Sequence, residues 1–144
     1  MRDYSEELEK RVEFIKGMLK KSGAEGIVFG NSGGKDSALV GILCKKACDN
    51  TIGIMMPCQS KRNFEQDLDD ANALTEKFGI EKKVIDLTSL KELAMKIYGV
   101  HFALSDMAIA NIAPRLRMIT VYSAAASENR LVAGTGNRSE GYMG

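Results

Sequence analysis

The sequence predicts an α/β protein with a three-layer, doubly wound parallel sheet. Four short apolar runs alternate with stretches in which apolar residues recur at helical spacing. Short apolar runs are typical of strands buried on both faces, and their alternation with helices implies parallel pairing through right-handed crossovers. With 144 residues, the chain is long enough for one domain built around such a sheet.

The first half of the chain contains two strand predictions. An amphipathic helix is predicted over 6–21, because four apolar residues recur at helical spacing among glutamates and lysines, and Gly23 ends it. The apolar run 26–30 predicts the first strand and 37–48 the next helix. The apolar run 51–56 predicts the second strand.

The second half continues the alternation. Residues 63–78 predict a helix with one apolar face, ended by Gly79. A third short strand is predicted over 83–87, followed by Thr88 as the N-cap of a helix over 89–97. A longer helix and a fourth strand complete the predicted elements, at 109–128 and 131–134.

Composition and charge exclude several classes of protein. The net charge of +1 gives no sign of a basic surface, so no nucleic-acid partner is predicted. No apolar run approaches the roughly 18 residues that cross a bilayer, and the first residues are charged where a signal peptide would be apolar. A cytoplasmic protein without a membrane contact is therefore expected.

The cysteines do not predict a disulfide framework or a zinc site. There are three of them, no CxxC pair, and a single distant histidine. Cys44 and Cys48 share one face of a predicted helix, which favours small buried residues over a redox pair. Cys58 follows the second strand and is expected to be an ordinary thiol.

The segment NSGGKDS, residues 31–37, joins the first strand to its helix. Successive backbone amides and a helix N-terminus at such a junction form an anion site. Two glycines let the backbone approach a ligand, and the Ser32 and Ser37 hydroxyls can donate to phosphate oxygens. A carboxylate at Asp36 would repel phosphate unless a cation lay between them, so it predicts a magnesium ion.

Two commoner phosphate loops do not match this chain. A Walker loop has four residues between its first glycine and its Gly-Lys pair, and a serine or threonine after the lysine. Here only three residues separate Gly30 from Gly34-Lys35, and Asp36 follows Lys35. In the dinucleotide motif GxGxxG, Ser139 takes the place of the third glycine in 134–139.

SGGKDS instead resembles the SGGxDS pyrophosphate loop of the ATP-pyrophosphatase superfamily, whose members adenylate a substrate with ATP. Two later segments resemble NAD synthetases within that superfamily. NIAPRLRM, residues 111–118, is similar to their Asn-x-x-x-Arg-x-Arg-Met helix, and GTGNRSE, residues 134–140, to their GTxxxxE segment. In this order the three motifs cover the chain from about Gly26 to its end.

The resemblance implies an adenine nucleotide alpha hydrolase-like fold and a carbon–nitrogen ligase. The nicotinate carboxylate of deamido-NAD would attack the α-phosphate of ATP, pyrophosphate would leave with magnesium, and ammonia would displace AMP to give NAD. Adenylation supplies the leaving group that a carboxylate lacks, so no protein nucleophile is required.

The resemblance also assigns roles to residues. Asp36 and Glu140 would bind magnesium, and Arg115 would bind deamido-NAD with help from Asn111 and Arg117. Lys35 occupies the variable position of the loop and could reach a phosphate or point to solvent. The residues expected to bind ATP are Gly30, Asn31, Ser32, Gly33, Gly34, Lys35, Asp36, Ser37 and Thr135.

Length and assembly are further expectations. NAD synthetases of this type continue well beyond the GTxxxxE segment, so 1–144 is expected to be one domain truncated at its C-terminus, with an incomplete site. The short segment before the first helix favours free ammonia over a glutamine-hydrolysing domain. A homodimer through the helix of Arg115 is implied, although its apolar residues could equally be core: Ile109, Ile112, Leu116 and Ile119.

Two alternatives remain open. One is another adenylating member of the superfamily, such as a GMP synthetase ATPase domain, an asparagine synthetase-like domain or a tRNA-modifying thiolase. The other is a truncated, non-catalytic module that binds ATP without turnover.

Overall fold

Helices and strands alternate along the chain in the computed structural model, which describes residues 4–58 and 61–134, without the side chains of 4 and 61–67. In chain order the elements are α1 (Tyr4–Ser22), β1 (Gly26–Gly30), α2 (Lys35–Ala47), β2 (Thr51–Met55), α3 (Lys61–Phe78), β3 (Glu81–Val84), α4 (Thr88–His101), α5 (Asp106–Glu128) and β4 (Arg130–Ala133).

The four described strands form one parallel sheet in the order β3-β2-β1-β4. Val28 of β1 pairs with Ile52 of β2 on one side and with Val132 of β4 on the other. The chain moves outward from β1 to β3 and then returns to the opposite side of β1. The predicted doubly wound parallel sheet is confirmed, and its reversal between β1 and β4 creates a crevice at the carboxyl ends of the strands.

The sheet is buried on both faces. On one face, Val28, Ile52 and Ile54 pack with Val121 and Ala125 of α5. On the other face, Phe29 packs with Leu74 of α3 and Ile80, and with partly buried residues of α2. Helices on both faces give the three predicted layers, and both cores hold the carboxyl ends of the strands in place.

Phe29 determines how closely α2 approaches the sheet. Its ring lies between Gly41 of α2 and Gly53 of β2, where a Cβ atom would come within 2.5 Å and 2.8 Å of the ring carbon Cζ, respectively. Real Cβ contacts are longer than this, so both positions require glycine. The helix that follows the SGGKDS segment is therefore seated on the sheet by one aromatic ring.

The predicted start of α4 is wrong by one residue. The N-cap is Leu87, and Thr88 is the first helical residue. The Thr88 N–H donates to Asp86 Oδ1 at 2.9 Å, and this bond lowers the pKa of the Asp86 carboxyl below its usual value. An aspartate two residues before the helix thus accepts from the N–H of its first residue.

The third strand also differs from its prediction of 83–87, because it covers Glu81–Val84. Beyond β3, Ile85 and Leu87 still bond to the neighbouring segment at the end of β2. Their N–H groups donate to Met55 O and Pro57 O at 2.8 Å each. The predicted segment therefore overlaps the last two residues of β3 and extends past the end of the strand at the carboxyl edge.

Arg130 joins three strands at their amino ends, away from the crevice. Its Nη1 donates to the backbone oxygens of Ile27 at 3.3 Å and Asn50 at 3.0 Å, while its Nε donates to Glu128 at 2.7 Å. That bond lowers the pKa of Glu128.

Across the described ranges, no helix combines the length and apolarity of a membrane span.

Candidate functional site

The connection from β1 to α2 is a short turn shaped by its own side chains. Asn31 is buried, its N–H donates to Ile54 O at 2.8 Å, and its Oδ1 accepts from Gly33 N–H at 3.1 Å. Gly33 has φ +86°, in the left-handed region that favours glycine. Asn31 and Gly33 therefore give the turn its shape, so the phosphate contact expected from Asn31 is an addition to a structural role.

The two serines of this turn bond to each other and to its backbone. Ser37 is only 4% exposed; its Oγ donates to Gly34 O at 3.2 Å, accepts from Ser32 N–H at 3.2 Å and lies 3.1 Å from Ser32 Oγ. Ser32 Oγ accepts from Gly34 N–H at 3.3 Å. Between the two hydroxyl groups, either oxygen can be the donor. Ser37 thus holds the turn together, which the sequence interpretation missed.

Three backbone amides at the start of α2 precede the first bond of the helical ladder. Lys35, Asp36 and Ser37 precede Ala38, whose N–H donates to Gly34 O at 3.0 Å and opens the helical ladder. The N-cap is Gly34, and no side-chain bond caps the helix. A helix N-terminus carries partial positive charge, so these amides can accept an oxyanion. The helix predicted to begin at Ser37 thus begins two residues earlier, at Lys35.

Asp36 is exposed and lies on the first turn of α2, next to these amides. Within 4–58 and 68–134 no ion pair involves it. The same part of the chain contains no group of three acidic, histidine or cysteine residues able to hold a metal. A metal at Asp36 would need oxygens from a ligand or from water as well, which suits magnesium. Thr135 and Glu140 lie outside the described residues.

The carboxyl end of β2 forms a second wall of the edge. The Met56 Cε atom lies 3.3 Å from the position that a Cβ on Gly30 would take, so the methionine covers the last residue of β1. Arg117 of α5 is half-buried, and its Nε donates to Met56 O at 3.0 Å. No sequence signal pointed to this contact across 61 positions.

Arg115 and Asn111 are both exposed on α5, the helix that packs on β1 and β4. Their side chains are therefore available to a ligand, and the structure brings neither into a bond with the turn.

The cysteines are unpaired thiols, as expected. Burial, with a smaller effect of Cys48, raises the pKa of Cys44 to about 12, so this thiol is protonated at neutral pH.

Comparison with known proteins identifies relatives over nearly the whole chain. A family model described as NAD synthase matches residues 7–144. The NH(3)-dependent NAD(+) synthetase of Archaeoglobus fulgidus is 38% identical over 144 residues, covering 99% of this chain and 57% of the relative. That of Methanococcus aeolicus is 41% identical over 138 residues, covering 94% and 54%. The chain thus spans a little over half the length of these curated relatives.

Solved structures agree with these relatives. An NH3-dependent NAD synthetase from Campylobacter jejuni superposes with a TM-score of 0.83 at 36% identity, covering 96% of this chain and 59% of that one. An NMN synthetase from Francisella tularensis superposes with a TM-score of 0.85 at 30% identity, covering 97% and 57%. The fold, the three ordered motifs and the match over 7–144 together show that this chain belongs to the NAD synthase family.

Proposed function

We propose that the chain forms the ATP-binding, adenylate-forming part of an ammonia-dependent NAD synthetase. The carboxylate of deamido-NAD would attack the α-phosphate of ATP and release pyrophosphate, and ammonia would then displace AMP to give NAD. The observation that carries the proposal is the N-terminus of α2, which follows the SGG turn and has no side-chain cap bond. It lies in a chain of the NAD synthase family. Three amides there suit a departing pyrophosphate, whose charge grows as the bond to the α-phosphate breaks.

Asp36 and Glu140 are the proposed magnesium ligands. When bound, magnesium would neutralise charge on the pyrophosphate. Supporting this, Asp36 is exposed beside the anion-binding amides, where a carboxylate and phosphate repel each other without a cation. Thr135 is the proposed additional contact to ATP, and the Lys35 side chain is exposed and close enough in sequence to serve a phosphate.

Arg115, with help from Asn111, is the proposed contact to deamido-NAD; Arg117 was expected to share this contact, but its side chain donates to Met56 O. Arg115→Ala is expected to weaken deamido-NAD binding by about tenfold or more, since an arginine bond to a charged ligand contributes about 1.5–3 kcal/mol. ATP binding should change by less than about twofold. Isothermal titration with each ligand measures both values, and Lys96→Ala, an exposed cation on α4, is the control. Equal losses for both ligands would remove the assignment.

A homodimer is the proposed assembly, through α4 and α5. Three of the four residues expected to form the contact, Ile109, Ile112 and Leu116, are half-buried, whereas Ile119 is 57% exposed. α4 has no buried residue but carries apolar side chains on successive turns. Its exposed apolar residues are Leu90, Leu93, Ile97, Tyr98 and Val100. Such a stripe on a helix that already lies against α5 favours a second copy as its cover.

Ile97→Glu tests this assembly. Because Ile97 is 50% exposed, the variant should fold normally but elute and sediment as a monomer where the wild type is a dimer. Leu39→Glu on α2, the opposite face of the sheet, is the control and should leave the mass unchanged. A wild-type chain that is monomeric at all concentrations would contradict the proposal.

Product analysis tests the function itself. The chain is incubated with ATP, magnesium, ammonium and deamido-NAD, and mass spectrometry is expected to find NAD and AMP in equal amounts. A parallel reaction with nicotinic acid mononucleotide examines the substrate suggested by the NMN synthetase from F. tularensis. AMP release that requires RNA or xanthylate would replace the proposal with another member of the superfamily, and bound ATP without products would favour a non-catalytic module.

A cytoplasmic location belongs to the same proposal. The three cysteines form no disulfide, which suits a reducing compartment. The near-neutral charge, +1, also supports a chain without a nucleic-acid partner.

A further inference from the structure

We infer that Arg117 is a positioning residue for the ATP site, which acts by fixing the carboxyl end of β2 beside the nucleotide turn. This inference rests on the proposed function, because it concerns how the same site is held in shape. It assigns to Arg117 a role that differs from the contact to deamido-NAD proposed for Arg115.

The carbonyl groups at the end of β2 show why a side chain is needed there. Ile54 O accepts from Asn31 N–H, Met55 O from Ile85 N–H, and Pro57 O from Leu87 N–H, each at 2.8 Å. Met56 O lies within this series and accepts from Arg117 Nε at 3.0 Å. Arg117 thus supplies, from a helix, the bond that neighbouring backbone amides supply to the other three carbonyls.

This bond matters to the nucleotide turn because of what Met56 covers. The Met56 Cε atom lies 3.3 Å from the Cβ position of Gly30, the last residue before the turn. A cationic donor makes a stronger bond than a neutral one, and Nε is part of the rigid, planar guanidinium group. Loss of the bond would free the Met56 carbonyl, and the methionine side chain would no longer be held in place over Gly30.

The placement also separates the two arginines of α5. Arg115 is exposed, whereas Arg117 is half-buried against β2. One helix would therefore carry a contact for deamido-NAD at Arg115 and, two residues later, the residue that positions the end of β2 at the ATP site. Substitutions at the two positions should have opposite ligand selectivity.

The test compares Arg117→Met, which keeps an apolar stem but has no donor, with Arg117→Lys, which keeps a charged donor. Isothermal titration with magnesium-ATP is expected to show a dissociation constant about tenfold higher for Arg117→Met and less than about threefold higher for Arg117→Lys. Deamido-NAD binding should change by less than about twofold. Arg115→Met is the matched control and should show the reverse selectivity.

Met56→Ala keeps the carbonyl group that accepts from Arg117 but removes the side chain that covers Gly30, so it tests the second step of the inference with an independent variant. Met56 is partly exposed, so the chain should fold, and magnesium-ATP should bind several-fold more weakly because the cover over Gly30 is lost. Far-ultraviolet circular dichroism confirms that each variant is folded. Rescue by lysine and selective loss of ATP affinity are outcomes that a merely structural arginine would not produce.

Each outcome decides the inference. Unchanged magnesium-ATP affinity in Arg117→Met or in Met56→Ala overturns it, as does an equal loss for both ligands or no rescue by lysine. If the wild-type chain binds magnesium-ATP and these variants do too, only the inference fails. If the wild-type chain does not bind magnesium-ATP, the proposed function fails and the inference fails with it.

Discussion

Replacing Asp36 with asparagine is expected to remove the magnesium dependence of ATP binding without unfolding the chain. The side chain is exposed on the first turn of α2 and has no ion pair within 4–58 and 68–134. The amide has nearly the same size but is a poor magnesium ligand. Magnesium is expected to strengthen ATP binding by about 100-fold in the wild type and by less than about threefold in the variant, and turnover should fall by about 10³.

Without magnesium, the substitution is expected to change the affinity for ATP in the opposite direction. With a chelator present, Asp36→Asn should bind ATP at least as tightly as the wild type, because a carboxylate that repels the triphosphate is gone. Asp106→Asn is the matched control, since Asp106 also lies on the first turn of a helix, α5. Its titrations with and without magnesium should match the wild type. A normal magnesium effect in Asp36→Asn would remove Asp36 from the metal site.

Gly41→Ala is expected to have the largest effect on stability among small substitutions near the site. The added Cβ would lie 2.5 Å from Phe29 Cζ, and the ring is also confined by Gly53. Overpacking of this kind costs about 1–3 kcal/mol, which corresponds to a fall in Tm of roughly 3–10 °C for a domain of this size. Since the ring seats α2, magnesium-ATP affinity should fall as well.

Two further variants separate steric pressure from other causes. Gly17→Ala places its Cβ in open space on α1 and should leave the Tm unchanged or raise it, because alanine favours helices over glycine by about 1 kcal/mol. Phe29→Leu combined with Gly41→Ala should recover part of the lost stability, because the smaller side chain leaves room for the methyl group. A double variant that is less stable than either single variant would show that the contact with Phe29 is not the cause.

Periodicity was sufficient to predict the parallel sheet, because both cores are built from short apolar runs and one-sided helices. It placed the start of α2 at 37, whereas the helix begins at Lys35. Lys35 and Asp36 are polar, so they carry no periodic signal, although they supply the first amides of α2. The correct boundary follows from the Asn31 and Gly33 turn, which only the three-dimensional arrangement shows.

Long-range contacts were beyond the sequence reasoning for a different reason. The bond from Arg117 to Met56 O joins residues on separate layers, and local spacing contains no information on such a pair. The sequence also left open whether the apolar face of α5 is core or an interface. Ile109, Ile112 and Leu116 share a face at helical spacing, but that face is partly covered within the chain, and the more exposed apolar stripe lies on α4.

The proposed formation of an acyl adenylate by this chain can be measured by the exchange of labelled pyrophosphate into ATP. Adenylation is reversible, so the label should enter ATP when magnesium and deamido-NAD are both present and ammonia is absent. Omission of deamido-NAD, or use of Asp36→Asn, should abolish the exchange. If the chain binds magnesium-ATP and deamido-NAD yet incorporates no label, or incorporates it without the carboxylate substrate, the claim is contradicted.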